Sequence, residues 1–135
     1  QCVKLAAHDD ALIAQGATWL LWSWLTSGSR LTPRVIAELA QLLPGFEDKW
    51  VLLHLVRCVP LMDVPGQHAV AYAEFLQRCC GGQLPFLRAW AMDSLHRLAL
   101  QHEQLEAQAR AAMEAAADDP APSVRKRLQK ILQGK

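Results

Sequence analysis

The sequence predicts an all-α domain, and three observations carry that prediction. Leu and Ala dominate a composition that is 52% hydrophobic and lacks Asn entirely, a mix that favours helix over strand. Turn chemistry recurs at regular intervals: Ser27-Gly28-Ser29, Pro44-Gly45, Pro60 to Gly66, Gly81-Gly82 and Asp118 to Pro122. Between these breaks the apolar residues fall at helical spacing, and no stretch sustains the period-2 alternation of a strand.

Taken in order, about seven helices are expected. The first runs from about Asp9 to Thr26, with Asp9 or Asp10 as N-cap. The second begins at Thr32-Pro33, a cap followed by proline in the first helical position. It carries Val35, Ile36, Leu39, Leu42 and Leu43 on one stripe. The third covers about Glu47 to Val59, its acidic start suiting the positive end of the helix dipole. The fourth runs from about Pro65 to Cys80 and stops at Gly81-Gly82. The fifth covers about Pro85 to Gln101, the sixth about Glu103 to Ala117, and the last about Ser123 to Leu132.

The helices contain an internal repeat. Pro85-Phe86-Leu87-Arg88 is followed by Ala91, Leu95 and Leu98, while Pro122-Ser123-Val124-Arg125 is followed by Leu128 and Leu132. The two openings lie 37 residues apart. A weaker copy aligns Trp50, Leu55 and Arg57 with Trp90, Leu95 and Arg97. Leu105, Ala109, Ala112, Met113 and Ala116 mark a second helix, which ends in the turn Asp118-Asp119-Pro120. In these residues the chain resembles the HEAT-repeat family, best from Pro85 to Leu132 and less well from Gly45 to Cys80. The resemblance implies a right-handed α-α superhelix of antiparallel helix pairs. It divides the single domain, 1–135, into repeats at about 9–44, 46–80 and 84–118, with a final helix over 121–133. It also implies that Arg88 and Arg125 pair with Asp118 or Asp119 across the stack. One helix pair cannot bury its apolar face alone, so neighbours must stack.

Charge narrows the function classes. Residues 121–135 hold five basic residues and no acidic ones, whereas the remainder holds nine basic against thirteen acidic. The body is mildly acidic and the tail basic. A nucleic-acid binder needs a basic track for phosphates, and no helix face before the tail supplies one. Basic residues late in the last helix also complement its dipole. No apolar run approaches the roughly 18 residues that span a bilayer. Cys2, Cys58, Cys79 and Cys80 lack any C-x-x-C spacing and read as free thiols, pointing to a reducing, cytoplasmic compartment.

Catalytic motifs are missing. There is no His-Glu-x-x-His, no Gly-rich phosphate loop and no serine nucleophile elbow. His54 and Cys58 share a helix face, the minimum for two metal ligands, but spacing names no third or fourth ligand. No metal or cofactor is expected. Trp90 and Asp93 share a face, Arg97 follows one turn later, and Trp50 belongs to the matching repeat. HEAT-like DNA alkylation-repair glycosylases resemble this layout, so Trp50, Trp90, Asp93 and Arg97 are candidate concave-face residues. The plainer expectation makes the tryptophans core positions and Asp93–Arg97 a surface pair. A third possibility, a tetrapyrrole-handling protein like the HEAT-like bilin lyases, requires an open pocket lined by Trp and His.

The first helix gives the strongest functional signal. Trp19, Trp22 and Trp24, with Leu20, Leu21 and Leu25, occupy nearly all its faces. A terminal repeat normally shows a polar outer face, and this one does not. Trp19, Trp22 and Trp24 are therefore candidate partner-binding residues. The expected function is a non-enzymatic scaffold that holds a protein or peptide, with weak dimerisation through this helix.

Overall fold

The structure is a computed structural model that describes residues 2–134. It is all-helical: among the described residues there are eight α-helices, joined by short 3-10 turns, and no strand. The helices are α1 (Cys2–Ala6), α2 (Ala11–Thr26), α3 (Pro33–Leu42), α4 (Lys49–Cys58), α5 (Ala69–Cys80), α6 (Pro85–Gln101), α7 (Glu106–Ala117) and α8 (Pro122–Leu132). The count exceeds the expected seven by α1, whose five residues are too few to show a helical period. None of these helices is long and apolar enough to cross a membrane.

The starts follow from local chemistry. The Asp10 carboxylate accepts from the Leu12 amide at 2.9 Å. Thr32 accepts from Val35 at 3.3 Å, ahead of Pro33. Asp48 accepts from both Trp50 and Val51, so Asp48 is the cap of α4 and Glu47 lies outside it. Each cap satisfies amides that the first helical turn leaves open. The expected fourth and sixth helices begin as 3-10 turns, Gly66–His68 and Glu103–Leu105, before becoming α-helical. Gly28, at φ +106°, turns the chain after α2, a conformation that favours glycine.

Helices α2, α4, α6 and α8 form a row in which each packs on the next. Three of the odd-numbered helices pack onto this row, α1 on α2, α5 on α6, and α7 on both α6 and α8, while α3 packs on α1 and α5. The main core includes Leu21, Leu25, Leu39, Leu55, Tyr72 and Leu95. A smaller cluster around Met92, Val124, Leu128 and Ile131 holds α8. Each large apolar side chain buried this way stabilises the fold by roughly 1.5–3 kcal/mol.

Polar contacts set the register between helices. Tyr72 donates to the Ile36 carbonyl at 2.7 Å, and Ser94 donates to the Val56 carbonyl at 2.7 Å. Arg78 donates to the carbonyls of Leu43 and Phe46, closing the end of α3. Arg88 grips Asp119 through two bonds of 2.9 Å, and Arg125 donates to the Asp119 carbonyl. The expected pairing across the stack is thus found for Arg88 with Asp119, whereas Arg125 reaches only the Asp119 backbone carbonyl, six residues away. No buried side-chain nitrogen or oxygen among the described residues lacks a partner.

Candidate functional site

Helix α2 has no ionisable side chain along its 16 residues. At about 100° per residue, Ala14, Thr18, Leu21 and Leu25 form one stripe, and all four are buried. Trp22 and Trp24 leave the helix on opposite flanks of that stripe, and Trp19 points away from it. The structure separates the three tryptophans accordingly. Trp19 is 50% exposed and Trp24 47%, whereas Trp22 is half-buried against α4. Ile13, Leu20 and Trp24 make an exposed apolar stripe, and Leu12 lies beside Trp19 on the same outer side. A groove of about 620 Å³ follows the stripe, with Leu20, Leu21, Trp24, Leu31 and Val35 in its walls.

On the other flank Trp22 begins a ladder through the row. The Arg57 guanidinium of α4 lies 4.7 Å from the Trp22 ring centre and 4.5 Å from that of Trp90 on α6. The Arg127 guanidinium of α8 lies 4.2 Å from the Trp90 ring. Four successive helices of the row therefore contribute one group each, alternating aromatic and cation. Contacts of this kind are worth roughly 0.5–2 kcal/mol each. Arg57 reads in the sequence only as a repeat position and Arg127 only as part of the basic last helix, neither as a site residue. The available signal was their spacing, since each rung follows the last by about one repeat length.

Beneath the ladder lies Asp93, only 2% exposed. Its two oxygens accept from Arg97 at 2.7 Å and Arg127 at 3.3 Å. Asp93–Arg97 is consequently not the expected surface pair. Burial of the carboxylate demands compensation, and a second arginine arrives from α8. Trp22, Arg57, Leu61, Trp90, Asp93 and Arg97 all border one open cleft of about 430 Å³.

Of the four candidate concave-face residues, the structure brings Trp90, Asp93 and Arg97 together and leaves Trp50 apart. Trp50 is 42% exposed in the first turn of α4. It stacks on Phe86, in the first turn of α6, with ring centres 5.8 Å apart. Its neighbour across the stack is thus Phe86, one turn before Trp90. Neither tryptophan is a core residue: Trp50 is open to solvent and Trp90 is half-buried between arginines.

His54 and Cys58 are engaged elsewhere. His54 Nδ1 lies 2.9 Å from the Thr18 hydroxyl, which also donates to the α2 backbone. Burial, and then the Arg57 charge, hold this imidazole below the ordinary histidine range. Burial pushes the Cys58 thiol up to about 12 and those of Cys79 and Cys80 to about 11 and 12. No group of three His, Cys, Asp or Glu side chains able to hold a metal ion forms among the described residues. Neither a protein-family model, nor a curated protein, nor a solved structure matches the chain.

Proposed function

We propose that this chain is a non-catalytic, HEAT-like helical-repeat module, a right-handed superhelix of antiparallel helix pairs that holds another polypeptide. The architecture is supported by the α2–α4–α6–α8 row and by the Arg88–Asp119 clasp at the repeat junction. Fold alone does not specify function. The observation that carries the functional reading is α2, a charge-free helix at the end of the row with Leu12, Leu20, Trp19 and Trp24 in solvent. A contiguous apolar surface of this kind marks an association site. A second copy of the chain is its occupant in this reading, because two such stripes are self-complementary about a two-fold axis. Buried thiols with raised pKa values suit the reducing conditions of a cytoplasm.

The glycosylase alternative is disfavoured by Asp93. A carboxylate that stabilises a cationic sugar must face the substrate, whereas this one is buried and holds two arginines. The bilin alternative is disfavoured by the cleft, which contains arginine and tryptophan but no histidine.

Light scattering across a concentration series tests the proposal. The wild-type chain is expected to pass from monomer to dimer, and Trp24→Glu to weaken that association by at least about tenfold, since a buried unpaired charge at an interface costs several kcal/mol. A wild-type monomer at every concentration defeats self-association through α2.

A further inference from the structure

We infer that the cleft between Trp22 and Trp90 is a carboxylate-binding site, in which Arg57 receives an Asp or Glu side chain of a bound peptide. The inference deepens the polypeptide-binding reading and rests on it.

The argument begins with what Arg57 lacks. A guanidinium carries five N–H donors. The two other half-buried arginines among the described residues each have an acceptor: Arg88 holds Asp119, and Arg127 holds Asp93. Among the described residues Arg57 donates to nothing and pairs with no carboxylate. It is instead held between two indole rings. Contacts to rings use none of the N–H donors in a conventional hydrogen bond, so the donors of Arg57 stay open. A guanidinium fork matches a carboxylate bidentately, and the two rings hold it in the cleft before the ligand arrives.

The surroundings select the ligand class. Arg97 spends its Nε–H on Asp93, but its side chain is 49% exposed at the cleft edge. Asp93 is the one acid in the cleft wall, and its two arginines already offset it. The excess charge at the site is therefore positive. Pro60, Leu61 and Leu100 add apolar wall beside the uncharged Thr26, Ser94 and Gln101. A carboxylate flanked by apolar side chains fits this combination. A nucleic-acid strand needs a succession of cations along its phosphates, and the body of the chain is net acidic.

The test is selection of random heptapeptides on the wild-type chain and on Arg57→Gln. One library is tethered through its C-terminus and a second carries a free C-terminal carboxylate. Asp or Glu beside an apolar residue is expected to be enriched on the wild type, in the tethered library as well as the free one. Tryptophan fluorescence titration then compares the selected peptide with its Asn or Gln isostere. The isostere is expected to bind at least about tenfold more weakly, a comparison that needs no variant to fold. Arg57→Gln, with its helicity checked by circular dichroism, should lose the same factor. Enriched peptides without a carboxylate, or isosteres that bind equally well, overturn the site but not the wider polypeptide-binding reading. Enrichment confined to the free C-terminus overturns the side-chain assignment. Tight, steeply salt-dependent binding of twelve-nucleotide oligothymidylate without peptide enrichment makes this a phosphate site. No enrichment at all, together with a concentration-independent monomer, overturns both readings.

Discussion

Helices α2 and α8 stand at opposite ends of the same row and are built on different chemistry. α8 buries Val124, Leu128 and Ile131 on one face and turns Arg125, Lys126 and Lys130 to solvent. It is an amphipathic end helix with the polar outer surface that a stack of repeats requires. α2 buries a longer stripe, Ala14 to Leu25, but turns Leu12, Trp19, Leu20 and Trp24 outward, without a single charge. The attachments differ too. α8 is clamped by the Arg127–Asp93 ion pair and by Arg125 on the Asp119 carbonyl. α2 is joined to α4 by polar side chains of its own that carry no charge: Gln15 donates to Asp48, and Thr18 meets His54. One end is finished against water with charge, and the other leaves apolar side chains exposed to it.

If this contrast is correct, the largest loss of stability follows from breaking the clamp at the α8 end. Asp93→Ala removes a buried carboxylate and strands Arg127 on a half-buried site. Breaking a buried pair in this way costs about 3–5 kcal/mol. For a domain of this size, that lowers the melting temperature by roughly 10 °C or more. Calorimetry should show it, with amide exchange rising first in α8. A loss confined to α2 would mean that Asp93 does not anchor this end.

Arg88→Ala should cost somewhat less, about 2 kcal/mol. It loses the paired bonds to Asp119 and its contacts with the Gly82 and Gln83 carbonyls. Asp119 is held below the usual carboxylate range, chiefly by the Arg88 hydrogen bonds. Arg88→Ala should let the Asp119 carboxyl rise, which carbon-detected NMR titration can read. The matched control is Lys126→Glu on the exposed side of α8, expected within about 0.5 kcal/mol of wild type. Equal losses for the two variants would reduce the clasp to an ordinary surface pair.

These elements also show what was legible in the sequence. Thr32-Pro33, Asp48 and Pro85 declare helix starts through chemistry confined to three or four residues, and all three are found in place. The Arg88–Asp119 clasp was legible only through the family resemblance, which implies an arginine set against the Asp118-Asp119 turn. The ladder Trp22–Arg57–Trp90–Arg127 was not, since each rung comes from a different helix and only the stack joins them. Asp93 misled for a related reason. Its i,i+4 partner Arg97 is visible in the sequence, whereas the burial that makes it a clamp is imposed by α8. Trp50 and Trp90 look equivalent by sequence shift, yet the packing sets Trp50 beside Phe86 because the first turns of α4 and α6 are level.

The smallest expected effect sharpens the contrast from the α2 side, through pH. Burial and the Arg57 charge hold folded His54 below its ordinary value of 6.5. Below pH 6.5 the unfolded chain therefore binds a proton that the folded chain refuses, and stability falls as pH falls. The contribution is complete above about pH 6.5 and is lost as pH falls through the lowered folded-state value. Asp48 and Asp119 act later. For Asp48, burial alone would raise the carboxyl, but hydrogen bonds from Val51, Gln15 and Trp50 together hold it below 3.8. Stability from both acids is therefore lost only as pH falls through and below that value. His54 sits at the α2–α4 junction, and among the described residues no histidine hydrogen bond joins α6 to α8, so mild acid should loosen α2 while leaving α8 clamped. Thermal melts between pH 5 and 8, on wild type and His54→Gln, separate the cases. The wild type should lose stability toward pH 5, by no more than the worth of a hydrogen bond or so, about 1 kcal/mol, and the variant should be flatter. A wild-type profile level across that range would mean that the Thr18–His54 contact survives protonation, with the imidazole donating to the hydroxyl, and that the α2 end is no more acid-sensitive than the end clamped by Asp93.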